Sequence, residues 1–124
     1  MDVLLVEPVA ASRDILAQAL HAARLRTVAV ASGEDALAVA HEQTPPRVLI
    51  TAVSLGAGMD GFELVRRLRS RWPGMAVVLT GEGQGQLRGR VLGRMDRFLA
   101  RPVSPGALLA ALRDLAGDSL RPLS

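Results

Sequence analysis

The chain has 124 residues, 49% of them apolar, which is enough for one domain with an ordinary hydrophobic core. It contains no cysteine, which excludes a thiolate nucleophile, an iron–sulfur cluster and disulfide bonds. All fifteen basic residues are arginine, but twelve acidic residues reduce the formal net charge to +3. Only one tryptophan and two phenylalanines could stack on bases, so we do not expect nucleic-acid binding.

No apolar run approaches the roughly 18 residues that a membrane helix needs, and no signal peptide opens the chain. We therefore expect a cytoplasmic protein without a membrane partner.

Five short apolar runs predict the strands of a parallel sheet. In chain order they are Val3 to Val6, Thr27 to Val30, Val48 to Ile50, Ala76 to Leu79, and Phe98 to Ala100. Because apolar and polar residues do not alternate along them, both faces of each strand should be buried.

The segments between these runs have helical spacing. The first helix has an apolar stripe of Ile15, Leu16, Ala19, Leu20 and Ala23. The third has a stripe of Leu64, Val65, Leu68 and Trp72, with Arg66, Arg67, Arg69 and Arg71 predicted to face away from it. The last has Leu108, Leu112 and Leu115. Ser32, Asp60 and Ser104 have the residue types and positions of helix N-caps.

The predicted fourth helix is weak. Five glycines occur between Gly81 and Gly93, and each costs about 1 kcal/mol relative to alanine inside a helix. This stretch is therefore either a frayed helix or a loop.

The strand–helix alternation predicts a three-layer α/β sandwich, a doubly wound five-stranded parallel sheet with helices on both faces. We assign residues 1–118 to this domain and residues 119–124 to a C-terminal tail. In such sheets, ligands bind beyond the carboxyl ends of the strands. The positions of interest there are Glu7, Pro8, Ala31, Ala52, Thr80 and Arg101.

Five segments at these positions resemble the receiver domain of two-component response regulators (CheY-like). They are Val3 to Glu7, Ala31 to Leu37, Met59 to Leu64, Leu79 to Gly81, and Phe98 to Pro102. The resemblance covers nearly the whole chain and implies the flavodoxin-like strand order 2-1-3-4-5. It also implies a cis peptide bond between Arg101 and Pro102.

In that family an aspartate closing the third strand accepts a phosphoryl group, and acids closing the first strand hold magnesium. A threonine or serine closes the fourth strand and a lysine closes the fifth, and both bind phosphoryl oxygens. Phosphoryl transfer depends mainly on positioning and charge neutralisation, so the whole set of side chains is needed.

This chain departs from the family pattern at three positions. Ala52 occupies the phosphoacceptor position, and Pro8 follows Glu7 where a second acid is usual. Arg101 replaces the lysine and keeps its charge without its compact ammonium group. We therefore expect no catalytic residue, no aspartyl phosphorylation and no cofactor. Magnesium binding should be weak or absent, with Glu7 the only acid retained.

In this degenerate pocket we expect Glu7 and Arg101 to form an ion pair. Thr80 and Phe98 match the family's switch residues, but packing roles are favoured for both. Ser54 is the one hydroxyl that could replace the missing nucleophile, because the Thr51 side chain should point away from the site. His21 and His41 are expected to lie on the protein surface.

Two alternatives stay open. The chain could be a conventional phosphoaccepting receiver with an engineered aspartate-to-alanine change at Ala52. It could also be a fragment of a dinucleotide-binding enzyme that uses Gly56, Gly58 and Gly61, with Glu82 as the ribose acid.

The favoured interpretation is an atypical, non-enzymatic receiver that acts in bacterial signalling through protein–protein contacts. Its partner would be a histidine kinase, an output domain or another signalling protein. The family's usual interface consists of the fourth helix, fifth strand and fifth helix, which here would include Arg88, Arg90, Arg94 and Arg97. This basic edge is expected to bind an acidic partner or a second copy in a homodimer.

Overall fold

The computed structural model of the protein describes residues 1–117, and the predicted boundary between residues 118 and 119 lies outside them. The strands are β1 (Val3–Val6), β2 (Thr27–Val30), β3 (Val48–Ala52), β4 (Ala76–Gly81) and β5 (Asp96–Ala100). The α-helices are α1 (Ala10–Ala22), α2 (Gly33–Glu42), α3 (Gly61–Arg71) and α4 (Pro105–Leu115). A 3₁₀ helix, η1 (Gln84–Leu87), lies between β4 and β5.

All five strands are parallel, in the order β2-β1-β3-β4-β5. This is the predicted flavodoxin-like order. The carboxyl ends of the strands meet at one edge, where Ala52 of β3 pairs with Thr80 of β4. The inner strands β1, β3 and β4 are buried throughout, but β2 and β5 are only partly buried. The prediction of two buried faces was wrong for these two because each has only one neighbouring strand.

The core has two layers, one on each face of the sheet. Leu4, Leu49 and Val77 pack with residues of α2 and α3 on one face. Leu5 and Ile50, the residues that follow two of these along their strands, pack with α1 and α4 on the other. This alternation follows from the two-residue period of a strand, and it produces the three-layer sandwich.

The three predicted N-caps are confirmed. The Ser32 hydroxyl accepts the Asp35 N–H at 3.1 Å, and the Ser104 hydroxyl accepts the Ala107 N–H at 3.1 Å. The Asp60 carboxylate accepts the Glu63 N–H at 2.9 Å. Such a cap is worth about 1 kcal/mol, so these short local signals fix where α2, α3 and α4 begin.

Two predictions about helix faces were wrong. Ile15 is 54% exposed, because only Leu16 and Leu20 of the predicted α1 stripe reach the buried core. Arg69 does not face solvent: its guanidinium donates to the Met75 carbonyl and to the Asp96 carboxylate. Its long aliphatic part lets it run over the sheet instead of away from it. None of the helices described here is long and apolar enough to span a membrane.

Residues 82–95 connect β4 to β5 with only the single turn of η1. Of the two alternatives left open for this stretch, the loop is therefore the better description. Leu87 is buried and anchors the turn, and the chain then leaves it through positive φ angles at Arg88 (50°) and Gly89 (76°). Glycine adopts that backbone region without steric cost. The result is an irregular connection across one face of the sheet.

Candidate functional site

An ion pair crosses the carboxyl end of the sheet. Glu7 follows β1 and Arg101 follows β5, and Arg101 Nη2 donates to Glu7 Oε1 at 2.7 Å. The side chains are 4% and 22% exposed, respectively. Because β3 and β4 lie between β1 and β5, the two side chains meet beside the ends of the intervening strands. The predicted Glu7–Arg101 contact is confirmed.

The second carboxylate oxygen of Glu7 is also bound. Glu7 Oε2 accepts the N–H of Val9, the N-cap residue just before α1, at 2.8 Å. The carboxylate lies at the positive, N-terminal end of the α1 dipole, which favours a negative charge there. Helix α1 has no side-chain cap of its own. Arg13 of α1 donates to the main-chain carbonyl of Glu7 at 2.8 Å. The buried carboxylate therefore has one full charge partner and one main-chain donor, which a charge removed from water requires.

A hollow of about 280 Å³ opens beside this pair. Its lining includes Glu7, Ser12, Ile15, Glu82, Arg101 and Val103. Pro8 is exposed between β1 and α1 and contributes no oxygen from its side chain. The peptide bond between Arg101 and Pro102 is cis, as predicted.

Ala52 and Thr80 lie side by side at the ends of β3 and β4, and both are buried. The neighbouring hydroxyl of Thr51 is fully buried and donates to the Ala52 carbonyl at 3.0 Å. Ser54 is exposed and lines a different depression, together with Asp60 and Arg88. The Ser54 hydroxyl, considered above as a substitute nucleophile, therefore does not line the hollow beside Glu7 and Arg101.

Phe98 lies on β5 opposite Leu79 and is partly buried against the core layer of α2 and α3. One of its ring carbons would lie 3.2 Å from a Cβ placed on Gly81. His21 and His41 are both exposed, as predicted.

The glycines of the dinucleotide alternative have local structural roles. Gly56 and Gly58 adopt φ angles of 83° and 95°, which side chains rarely tolerate. Gly61 starts α3 so close to β3 that a Cβ would lie 2.3 Å from the Ala52 carbonyl oxygen. Turn geometry and helix–strand packing thus account for the three glycines.

The four candidate interface arginines do not form one uniform surface. Arg97 binds Asp114 of α4 at 2.8 Å. The Arg90 guanidinium lies 3.9 Å from the centre of the Phe62 ring, at the start of α3 on the opposite face of the sheet. Within residues 1–117, the side chains of Arg88 and Arg94 have no hydrogen-bond or ion-pair partner.

Three contacts elsewhere in the domain were not predicted. Arg69 of α3 binds Asp96 of β5, and Asp96 also accepts the Gly93 N–H at 2.8 Å. Gln86 Oε1 accepts the Glu82 N–H at 2.6 Å, which closes the turn after β4. The four-residue spacing from Glu82 to Gln86 is a local signal that could have indicated this turn. The partners Arg69 and Asp96 are 27 residues apart and give no local signal.

The response regulator receiver domain family model matches residues 3–113. The chain is 37% identical over 116 residues to protein-glutamate methylesterase/protein-glutamine glutaminase 6 of Anaeromyxobacter dehalogenans, covering 90% of this chain. It spans about a third (32%) of that relative, so the activity in the relative's name is not thereby shown for this chain.

Solved structures give the same result. The chemotaxis response regulator CheY4 of Vibrio cholerae is 25% identical, with a TM-score of 0.80 over 92% of this chain and 97% of that one. A putative response regulator from Chloroflexus aurantiacus is 26% identical, with a TM-score of 0.79 over 94% and 97%. These matches favour a signalling domain and do not favour the dinucleotide-binding alternative. The chain belongs to the response regulator receiver domain family of two-component signalling.

Proposed function

We propose that this receiver domain is not phosphorylated at the end of β3 and acts in signalling as a binding module. One observation carries the proposal: Glu7, the acid that follows β1, is bound by Arg101, and the neighbouring strand β3 ends in Ala52. Arg101 thus binds the carboxylate that would help to hold a metal ion in a phosphoaccepting site. The position that would carry the nucleophile is an alanine.

The donor set does not suit magnesium. Mg²⁺ requires oxygen ligands in near-octahedral geometry, usually with one or two protein carboxylates. Both oxygens of Glu7 are already bound, and neither Pro8 nor Ala52 carries an oxygen on its side chain. Within residues 1–117, no three histidine, aspartate or glutamate side chains cluster as metal ligands.

Neither Thr51 nor Ser54, the hydroxyl residues next to Ala52 along the chain, is placed to supply a replacement nucleophile. The Thr51 hydroxyl is fully buried and donates to a main-chain carbonyl, so it is neither free nor accessible. Ser54 lies in another depression, and a serine hydroxyl needs a nearby base to attack a phosphoryl group. The proposed role is accordingly one of recognition, without a covalent step.

The Glu7–Arg101 pair would hold the carboxyl end of the sheet in one arrangement. Thr80 is buried and Phe98 partly buried, and we assign packing roles to both. A partner would recognise this fixed surface without a phosphorylation signal. Receiver domains interact with signalling proteins such as kinases and output domains, and we propose a partner of this kind here. The name of the relative includes a methylesterase, so an output domain in the same polypeptide is one candidate partner.

A series of variants that restores the family's usual residues distinguishes the proposal from the alternative of an engineered change at Ala52. We would compare Ala52→Asp alone with Ala52→Asp/Pro8→Asp/Arg101→Lys, using beryllofluoride with magnesium as the phosphoryl mimic. The proposal predicts no binding by the single variant, because Arg101 still holds Glu7, and binding only by the triple variant. Tight binding by Ala52→Asp alone would instead indicate a conventional receiver changed at one position.

A further inference from the structure

The depression that Ser54 lines is polar and has a volume of about 180 Å³. Its walls come from the turn after β3, the start of α3 and the connection between β4 and β5. The polar side chains that line it are Ser54, Asp60, Gln86, Arg88 and Arg90. Neither Glu7 nor Arg101 lines it, so its chemistry is separate from that of the hollow beside their ion pair.

Three of these side chains come from alternate positions of one short segment. Gln86, Arg88 and Arg90 line the depression. Leu87, between the first two, is buried in the core and anchors the segment. The Arg88 N–H donates to the Gly85 carbonyl at 3.2 Å, and the N–H of Arg90 donates to the carbonyl of the anchor at 2.9 Å. Hydrogen bonds therefore hold the main chain that carries the two arginines.

The donors of the depression are available to a ligand. The Arg88 guanidinium has no hydrogen-bond or ion-pair partner within residues 1–117. The Arg90 guanidinium stacks on the Phe62 ring at 3.9 Å, and stacking uses its flat face and not its N–H groups. The side-chain oxygen of Gln86 accepts the Glu82 N–H, so its NH₂ group is the part left to donate.

The charge balance of the depression is positive. Two arginines and one acidic residue, Asp60, line it, which leaves one net positive charge. Asp60 Oδ1 already accepts the Glu63 N–H at 2.9 Å, at the start of α3. Ser54 is exposed and adds a hydroxyl, which can donate one hydrogen bond. A ligand that fits these groups must carry negative charge and several hydrogen-bond acceptors.

We propose that this depression binds a tetrahedral phosphoryl group, as inorganic phosphate or as the phosphate end of a small ester. A phosphate ester carries about −1.5 to −2 charges at pH 7 and three strong acceptor oxygens. A guanidinium matches it because two of its N–H groups can meet two oxygens at once. A water molecule takes about 30 Å³ of liquid volume, so 180 Å³ is room for roughly six waters and is enough for a phosphate.

A carboxylate is a poorer occupant of the same depression. Its two oxygens lie in one plane and share a single charge. The donors lie on two sides, with Ser54 after β3 and the arginines on the β4–β5 connection. A tetrahedral group can direct oxygens to both sides and neutralises more of the positive charge. The comparison between phosphate and a carboxylate is therefore part of the test.

The test is an amide NMR titration of the unaltered protein with inorganic phosphate and with glycerol phosphate, without magnesium. Saturable shifts should appear at Ser54, Gln86 and Arg88, and the ligand that binds more tightly identifies the source of the phosphoryl group. Acetate should bind at least tenfold more weakly than either. Arg88→Gln should weaken phosphate binding about tenfold, because it removes a charged donor of similar length.

Arg94→Gln is the matched control. It removes the same charge from the same connection, but Arg94 does not line the depression, so affinity should change less than twofold. Arg88→Gly is a second variant, since the φ angle of 50° at this position suits glycine. It should keep the urea midpoint and lose the binding.

The proposal is overturned if neither phosphate ligand gives a saturable shift, or if acetate binds as tightly. It is also overturned if Arg94→Gln loses as much affinity as Arg88→Gln, or if the shifts centre on Glu7 and Thr80. The inference goes beyond the proposed function and does not rest on it. Its titration contains no magnesium or beryllofluoride and is followed at different residues, so its failure is distinguishable from failure of the proposed function.

Discussion

Arg101 binds Glu7 at 2.7 Å across a sheet edge where their strands, β5 and β1, are not neighbours. The pair therefore joins the two ends of the β1-β3-β4-β5 series at the same place where Ala52 and Thr80 are buried. An ion pair that links non-adjacent strands should help to hold the sheet edge together, in addition to compensating the charge of each partner.

Removing one partner of this pair should destabilise the domain. We expect Arg101→Met to lower the free energy of unfolding by about 2–4 kcal/mol, because it removes the charge partner of the buried Glu7 carboxylate and leaves the Val9 N–H as its donor among residues 1–117. Glu7→Gln/Arg101→Met should recover part of the loss. Urea denaturation measures both effects.

The matched control for that experiment is Arg67→Met, which breaks an exposed pair with Glu63. Exposed pairs contribute about 0.2–1 kcal/mol, so this change should be small. If Arg101→Met costs no more than Arg67→Met, the pair does not stabilise the sheet edge.

Gly61 is expected to be intolerant of any side chain. A Cβ there would lie 2.3 Å from the Ala52 carbonyl oxygen, a main-chain atom of β3, so relief would require the backbone itself to shift. We expect Gly61→Ala to cost about 2–3 kcal/mol by overpacking, measured as a lower thermal or urea midpoint.

Gly106→Ala in the first turn of α4 is the comparison, because nothing lies within 4 Å of the added Cβ. It should be neutral or stabilise the domain by up to about 1 kcal/mol through helix propensity. Equal destabilisation by the two changes would contradict the packing explanation.

The Arg69–Asp96 pair should hold the segment that leads from η1 into β5. Arg69→Met removes the charge partner of Asp96, which also accepts the Gly93 N–H. We expect faster amide hydrogen exchange, by about tenfold, for residues 88–95, with little change in β1 and β3. Arg66→Met is the control, since Arg66 is largely exposed and its ion pair is with Glu63 of its own helix. Uniform acceleration in both variants would argue against a local role.

The strand order and the helix starts could be predicted because their signals are local or topological. Apolar runs marked the strands, and Ser32, Asp60 and Ser104 marked the helices within three residues of the groups they cap. The Glu7–Arg101 contact followed from the fold, because parallel strands bring their carboxyl ends together.

Other features depend on tertiary contacts that no local pattern records. The run Thr27–Val30 has the composition of a buried strand, but β2 is half-exposed because it lies at the sheet edge. Arg69 was predicted to face solvent because its partner Asp96 is 27 residues away. The connection between β4 and β5 contains only η1, whereas the glycine content indicated either a frayed helix or a loop.

Acid should weaken the fold in part through Asp2. The Arg26 N–H donates to the Asp2 carboxylate at 2.7 Å, and this main-chain bond lowers the pKa of Asp2. A lowered folded-state pKa stabilises the protein above the ordinary aspartate pKa of about 4, and this contribution is lost as pH falls below that value. Asp2→Asn should therefore flatten the fall in stability between about pH 5 and pH 2, measured by urea midpoints. An unchanged acid slope would contradict this assignment.

The most direct test of the central claim is an NMR titration of the unaltered protein with magnesium and beryllofluoride. The proposed function predicts no saturable shift at the amides of Glu7, Ala52 and Thr80 up to millimolar magnesium. Saturable shifts at those three positions would contradict it and would indicate a pocket that still accepts a phosphoryl group.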